Sequence, residues 1–169
     1  MIAQAEEKDL IEIMFVYKAC VADMNASGLF NWNTAYPGQH DVLADIRKGD
    51  LYLYREHNAT LGVVCINHEQ PDEYGDLNWK YKGPFLVVHR LAVHPAFRNR
   101  DIGGKMMKFA HELARDKGYS AIRLDVIMVN PPALKLYQKA GFENVGTIHF
   151  AYQKHPFMCM EMKTATDQK

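Results

Sequence analysis

Residues 84–94, PFLVVHRLAVH, are apolar on both alternations of a strand except at His89 and Arg90. A strand with one wet face alternates apolar and polar residues, so this one belongs inside a sheet covered on both sides. It runs into HPAFRNRDIGGKMMKFAHELARDKG, where a basic run and two adjacent glycines precede Ile102, Met106, Phe109, Ala110 and Leu113 at helical spacing. A second strand, AIRLDVIMV, follows. The next helix, PPALKLYQKA, has proline where a helix tolerates it and Gly141 at its C′ position. Strands that alternate with helices in this way predict an α/β protein with a mixed sheet and helices packed on its faces.

The N-terminal half supplies the remaining elements. Leu10, Met14, Tyr17, Val21 and Met24 recur at three- and four-residue steps and predict a helix over roughly residues 6–26, broken by NASGLFNW. QHDVLADIRKG predicts a second helix, with Gly49 near its end. DLYLYREHNATLGVVCINHE reads as two strands about a turn at His57–Asn58, and residues 70–83, rich in turn formers, as a loop. FENVGTIHF and PFMCMEM close the chain as strands, giving the order α-α-β-β-β-α-β-α-β-β. No repeat, low-complexity tract or linker interrupts the 169 residues, so one domain over 1–169 is expected.

Charge narrows the classes of partner. Lys plus Arg equal Asp plus Glu at 20 each, which speaks against broad nucleic-acid or membrane-surface binding. Any positive field is local, at Arg98, Arg100 and Lys105. The three cysteines are far apart, form no CxxC and lack zinc-site spacing with histidine, so no metal is expected. Cys65, within LGVVCIN, reads as a small buried hydrophobe. MIAQAEEKDL has no basic n-region and no stretch is long and apolar enough to span a bilayer, so a cytoplasmic protein is expected.

The basic run and paired glycines at a strand-to-helix turn suit a phosphate group, held by backbone N–H groups and the positive end of the helix dipole. They also suit a turn in which glycine only relieves crowding. A P-loop is excluded, because no GK[ST] follows.

Three patterns stand in order: RLAVHPAFRNRDIGGKMM, LDVIMVNPPALKLYQKAGF and a closing β hairpin. Together they resemble the GNAT superfamily of acetyl-CoA-dependent N-acetyltransferases, clearly over roughly residues 50–162, and the two N-terminal helices suit it. The resemblance implies the GNAT-like fold, with a central mixed, mostly antiparallel sheet and helices on both faces. It implies a diphosphate loop over Arg98, Asn99, Arg100, Asp101, Ile102, Gly103 and Gly104, with Lys105 adding charge. Asp101 stands where the family has its first loop glycine; it is expected to cap the helix with its side chain turned away from the phosphates. The backbone of Leu91, Ala92 and Val93 would hydrogen-bond the pantetheine arm, in a gap between this strand and the next parallel one, and a backbone N–H there would stabilise the oxyanion. Asn130 would contact pantetheine or order a water, with Ala133 beside it on the cofactor side. Tyr137 would protonate the departing thiolate, and Lys139 would approach the adenosine 3′-phosphate.

The general base is open. His89 alternates with Leu91 and Val93 and has a suitable unperturbed pKa; a water chain is the other reading, and Asp125 and His149 are further candidates. Trp32 and Tyr36 in LFNWNTAYPG are candidate acceptor-binding residues. W-N-x-x-Y-P followed by a helix and HRLAV also resembles a group of small bacterial-type GNAT proteins. The aromatics Tyr74, Trp79 and Tyr81 either line an amine pocket or anchor their loop. The resemblance implies direct transfer from acetyl-CoA to a small-molecule or peptide amine, with both substrates bound together. No cysteine falls within the motifs to carry the acetyl group. A non-catalytic acyl-CoA sensor of the same fold and a protein N-terminal or lysine acetyltransferase are the alternatives, and a homodimer is compatible with the family.

Overall fold

A computed structural model describes residues 1–164. Its elements are β1 (Ile2–Gln4), α1 (Leu10–Ala26), α2 (Gln39–Lys48), β2 (Leu51–Glu56), β3 (Ala59–Asn67), β4 (Phe85–Val93), α3 (Ile102–Asp116), β5 (Ala121–Ile127), α4 (Pro131–Ala140), β6 (Glu143–Ile148) and β7 (Phe157–Lys163). Short 3-10 turns lie at Glu7–Asp9, Asp72–Asp76 and Pro95–Phe97. The strands form a seven-stranded mixed sheet in the order β1-β2-β3-β4-β5-β7-β6. All ten expected elements are present. The addition is β1, which pairs antiparallel with β2 from Ile2↔Tyr54 to Gln4↔Tyr52. Three residues are too few to carry a periodic signal.

The chain divides into two compact units, Met1–Ile66 with His89–Met106, and Asn67–Val88 with Met107–Lys169. In the first unit, α1 buries Ile13, Val16, Tyr17 and Cys20, and α2 buries Val42 and Ile46. They form one cluster with Leu51 and Leu53 of β2, Val63 and Cys65 of β3, and Ala92 of β4. Val63 and Cys65 of β3 thus face the two N-terminal helices. Gly62 has the opposite parity: a Cβ there would stand 2.8 Å from Met106 Sδ and 3.2 Å from Ile102 Cγ2. Glycine therefore lets the first turns of α3 lie close on the other face of β3. Each fully buried Leu, Ile or Val contributes about 1.5–3 kcal/mol.

In the second unit, Phe85, Leu86 and Val87 pair in parallel with Ala121, Ile122 and Arg123, while β5 and β7 pair antiparallel from Ala121↔Lys163 to Ile127↔Phe157. Segment 70–83 has no strand, as expected, but its aromatic residues fasten it down. Tyr74 and Trp79 are buried, and Trp79 Nε1 donates to the Tyr74 carbonyl at 2.8 Å. The buried Arg123 guanidinium lies 3.8 Å from the Phe85 ring centroid and 4.4 Å from that of Trp79, and it donates to Gln70 Oε1 at 2.8 Å. The Lys80 amide donates to the buried Glu161 carboxylate at 2.6 Å. Of the two readings for these aromatics, anchoring describes Tyr74 and Trp79. Among the described residues no helix is long and apolar enough to cross a membrane.

Candidate functional site

Strand β4 carries a backbone irregularity where the sequence places its two polar residues. Arg90 has φ 48° in the middle of the strand, a region that non-glycine residues rarely enter. The two-residue repeat therefore does not run unbroken from His89 to Val93, and the alternation that put His89 on one face with Leu91 and Val93 does not hold across Arg90. Two side chains of α1 hold this stretch: Tyr17 Oη donates to the Arg90 carbonyl at 2.9 Å, and Cys20 Sγ to the Val93 carbonyl at 3.2 Å. Burial pushes the Cys20 thiol up to about 11, against the opposing pull of Arg98. Ala92 is buried in the core, while Leu91 and Val93 are half-buried.

Beyond β4, Pro95–Phe97 makes a single 3-10 turn, with His94 Nδ1 accepting from the Ala96 amide at 3.2 Å. Asn99 and Asp101 then take left-handed conformations, φ 65° and 56°. Asn and Asp are the non-glycine residues that tolerate this region best. Asp101 thus keeps a backbone that glycine would adopt, although it replaces the family's glycine. Its carbonyl accepts from the Lys105 amide at 3.0 Å, opening α3. Its carboxylate folds back on the first turn of α3: a Cβ on Gly104 would stand 2.2 Å from Asp101 Oδ1. That is a capping acid's place, and it puts negative charge where the helix dipole would meet an incoming anion. Gly103 is buried, and Ile102 packs into the core.

The loop's two arginines are paired with carboxylates. Arg98 Nη1 donates to Asp23 Oδ2 of α1, and Arg100 Nη2 to Glu56 Oε2 of β2. Glu56 also accepts from Tyr54 Oη at 2.8 Å, and these hydrogen bonds, Tyr54 first and then Arg100, hold its carboxyl below the usual range. Lys105 Nζ stands 5.7 Å from the Tyr54 ring centroid. Both arginine pairs are substantially exposed and contribute little to stability, so an anionic ligand can exchange for the carboxylates at small cost.

The acceptor candidates lie in the same unit. Trp32 packs against the core with its ring edge-on to Tyr17, centroids 5.7 Å apart. Tyr36 is partly exposed and its hydroxyl accepts from Arg90 Nη1 at 3.1 Å.

In the second unit, Asn130 is the N-cap of α4: its Oδ1 accepts from the Ala133 amide at 3.3 Å, and Pro131 and Pro132 open the helix. The expected pantetheine-binding side chain is thus already oriented by the helix it starts. Gly141 ends α4 at φ 105°, as the sequence predicts. Tyr137 is buried, with its ring edge-on to Phe142. Burial raises its phenol above the ordinary value, and the charge of Asp125 adds to the rise. Asp125 on β5 is itself held above the usual carboxylate range by burial, against the hydrogen bond it accepts from Tyr74 Oη at 2.5 Å. Lys139 and His149 are exposed. The hydrogen bond between Tyr74 and Asp125 joins residues far apart in sequence, which a linear pattern does not show. Among the described residues no group of three or more His, Cys, Asp or Glu is placed to hold a metal ion.

The model of the acetyltransferase (GNAT) family matches residues 17–142. The chain belongs to the GNAT family. It is similar to an uncharacterised N-acetyltransferase of Bacillus subtilis, YesJ, with 25% identity over 123 residues, 70% of this chain and 68% of that one. Over 65 residues it is 35% identical to the thialysine Nε-acetyltransferase of Bos taurus, 38% of each chain. The fold is that of a GNAT acetyltransferase from Streptococcus agalactiae, with TM-score 0.82, 19% identity and coverage of 98% of this chain and 96% of that one.

Proposed function

We propose that this GNAT protein transfers an acetyl group from acetyl-CoA to a primary amine, with both substrates bound together. The observation that carries the reading is the start of α4 in the motif LDVIMVNPPALKLY: Asn130 caps the helix through the Ala133 amide, and Tyr137 is buried two turns on. Tyr137 is in its protonated form and can share that proton with the sulfur as the carbon–sulfur bond breaks. His89, a water chain and Asp125 are the candidates for the group that takes the proton from the ammonium.

The amine nitrogen bonds to the thioester carbon and the carbon–sulfur bond breaks. The ammonium gives up one proton before attack and a second as the amide forms. One of these protons is balanced by the proton Tyr137 delivers to sulfur, and the other leaves to solvent. The backbone of Leu91 to Val93 binds the pantetheine arm, and an N–H there takes the charge that develops on the carbonyl oxygen. Arg98, Arg100 and the first turn of α3 hold the diphosphate; the left-handed backbone at Asn99 and Asp101 and the exchangeable arginine pairs fit such a group. Trp32 and Tyr36 face the acceptor. The thialysine Nε-acetyltransferase, by its name, acts on a side-chain amine, and this supports amines as the acceptor class.

The test is a thiol-release assay with acetyl-CoA against a panel of small amines and peptides. Release of CoA with matching acetylation of one amine class supports the reading. Tight binding of acetyl-CoA with no turnover on any amine favours the sensor.

A further inference from the structure

The strained residue of β4 is locked from three directions. Its carbonyl accepts from Tyr17 Oη at 2.9 Å, its Nη2 pairs with the Asp45 carboxylate of α2, and its Nη1 donates to Tyr36 Oη at 3.1 Å. Tyr17 is almost wholly buried and Asp45 is buried, and the arginine side chain is largely so. Arg90 Nε is buried with no hydrogen-bond partner. A left-handed conformation at a non-glycine residue in a strand is costly and persists only where its surroundings over-determine it. Strain supported by a buried ion pair and two tyrosines marks a functional constraint.

The direction of that constraint follows from peptide geometry. In a trans peptide the N–H of the next residue points opposite to the carbonyl. The Arg90 carbonyl points at Tyr17, in the core under α1, so the Leu91 N–H points away from that core.

We propose that Tyr17, Asp45 and Arg90 form a positioning clamp that presents the Leu91 N–H as the hydrogen-bond donor to the acetyl carbonyl of acetyl-CoA. The inference rests on the acetyltransferase reading and adds the residues that set the donor's direction. None of the three touches the reacting atoms; each acts through the Arg90–Leu91 peptide. Tyr17 holds the carbonyl end and Asp45 holds the side chain, which stops the peptide from relaxing to ordinary strand geometry. Tyr36 ties the segment carrying Trp32 to the same guanidinium.

The test needs no acceptor amine. Isotope-labelled acetyl-CoA is bound to the full chain, and the infrared band of its thioester carbonyl is compared with that of free acetyl-CoA. Affinity for CoA, which has no acetyl group, is measured alongside by calorimetry. Hydrogen-bond donation lowers the carbonyl frequency, so the wild-type band is expected to shift down on binding. Tyr17→Phe removes one hydroxyl without changing shape, and Arg90→Gly permits the positive φ while removing the side-chain lock. Both are expected to return the band most of the way to the free position, and to weaken acetyl-CoA more than CoA, whose pantetheine arm also contacts Leu91 to Val93 but which has no acetyl carbonyl. Asp45→Asn serves as a third variant should Arg90→Gly fold poorly. A wild-type band that does not move, or a shift that survives Tyr17→Phe and Asp45→Asn, overturns the clamp even if melting temperatures fall. Absence of acetyl-CoA binding by folded wild-type protein overturns the acetyltransferase reading, and the clamp with it.

Discussion

The carboxylate of Asp101 lies against the α-carbon of Gly104 so closely that a Cβ there would stand 2.2 Å from Oδ1. The relationship explains why the second of the twin glycines is glycine: it leaves room for a side chain from the preceding turn. It also places an internal anion at the N-terminus of α3, the end that an external diphosphate would approach.

Replacing Asp101 by Asn removes the charge and keeps both the shape and the tolerance of a left-handed φ. CoA affinity is expected to rise about two- to tenfold, the size of a single charge effect at a helix terminus. Isothermal calorimetry at low salt measures it. Weaker binding by Asp101→Asn would show that the carboxylate helps to hold the ligand.

Arg98→Ala and Arg100→Ala separate binding from stability. Each breaks a substantially exposed ion pair, with Asp23 or Glu56, so thermal stability should change by no more than about 1 kcal/mol. Each should weaken CoA binding by about tenfold, through loss of a charged hydrogen bond to phosphate. Equal affinity in wild type and the double variant would remove this loop from the cofactor site.

Tyr137→Phe keeps the buried ring and its edge-on contact with Phe142 while removing the acidic proton. Turnover should fall by about a hundredfold or more, with acetyl-CoA affinity unchanged. Steady-state kinetics and calorimetry on the same preparation separate the two effects, and loss of affinity without loss of kcat would contradict the assignment.

Asp125 yields a stability prediction with a definite sign. Burial holds its folded carboxyl above the ordinary value of 3.8, so the folded state favours the protonated form. The stability contributed by that form is complete below the unfolded value and is lost as pH rises through the folded one. Asp125→Asn, which still accepts from Tyr74, should therefore melt higher than wild type at neutral pH, with the gap closing as pH falls towards 4. Thermal melts across that range check it, and a gap that widens on acidification would contradict the burial argument.

Much of the architecture was legible because it rests on local signals. The both-faces apolar run marked β4, and the prolines and Gly141 bounded α4, whose cap at Asn130 the structure adds. Asp101 is among the few side chains that tolerate the left-handed turn it adopts. Arg90 was not: nothing in the residue type announces a positive φ, and its cause lies in Tyr17 and Asp45, distant in sequence. The pairing of Arg98 and Arg100 with Asp23 and Glu56 was hidden for the same reason. The two compact units interleave along the chain, so no linker in the sequence separates them.

The most direct measurement is calorimetric titration of the folded wild-type protein with acetyl-CoA, with the Arg98→Ala/Arg100→Ala double variant as control. The expected result is saturable micromolar binding that the double variant loses in large part. No binding by wild-type protein whose fold is confirmed would contradict the acetyl-CoA assignment and every catalytic role built on it.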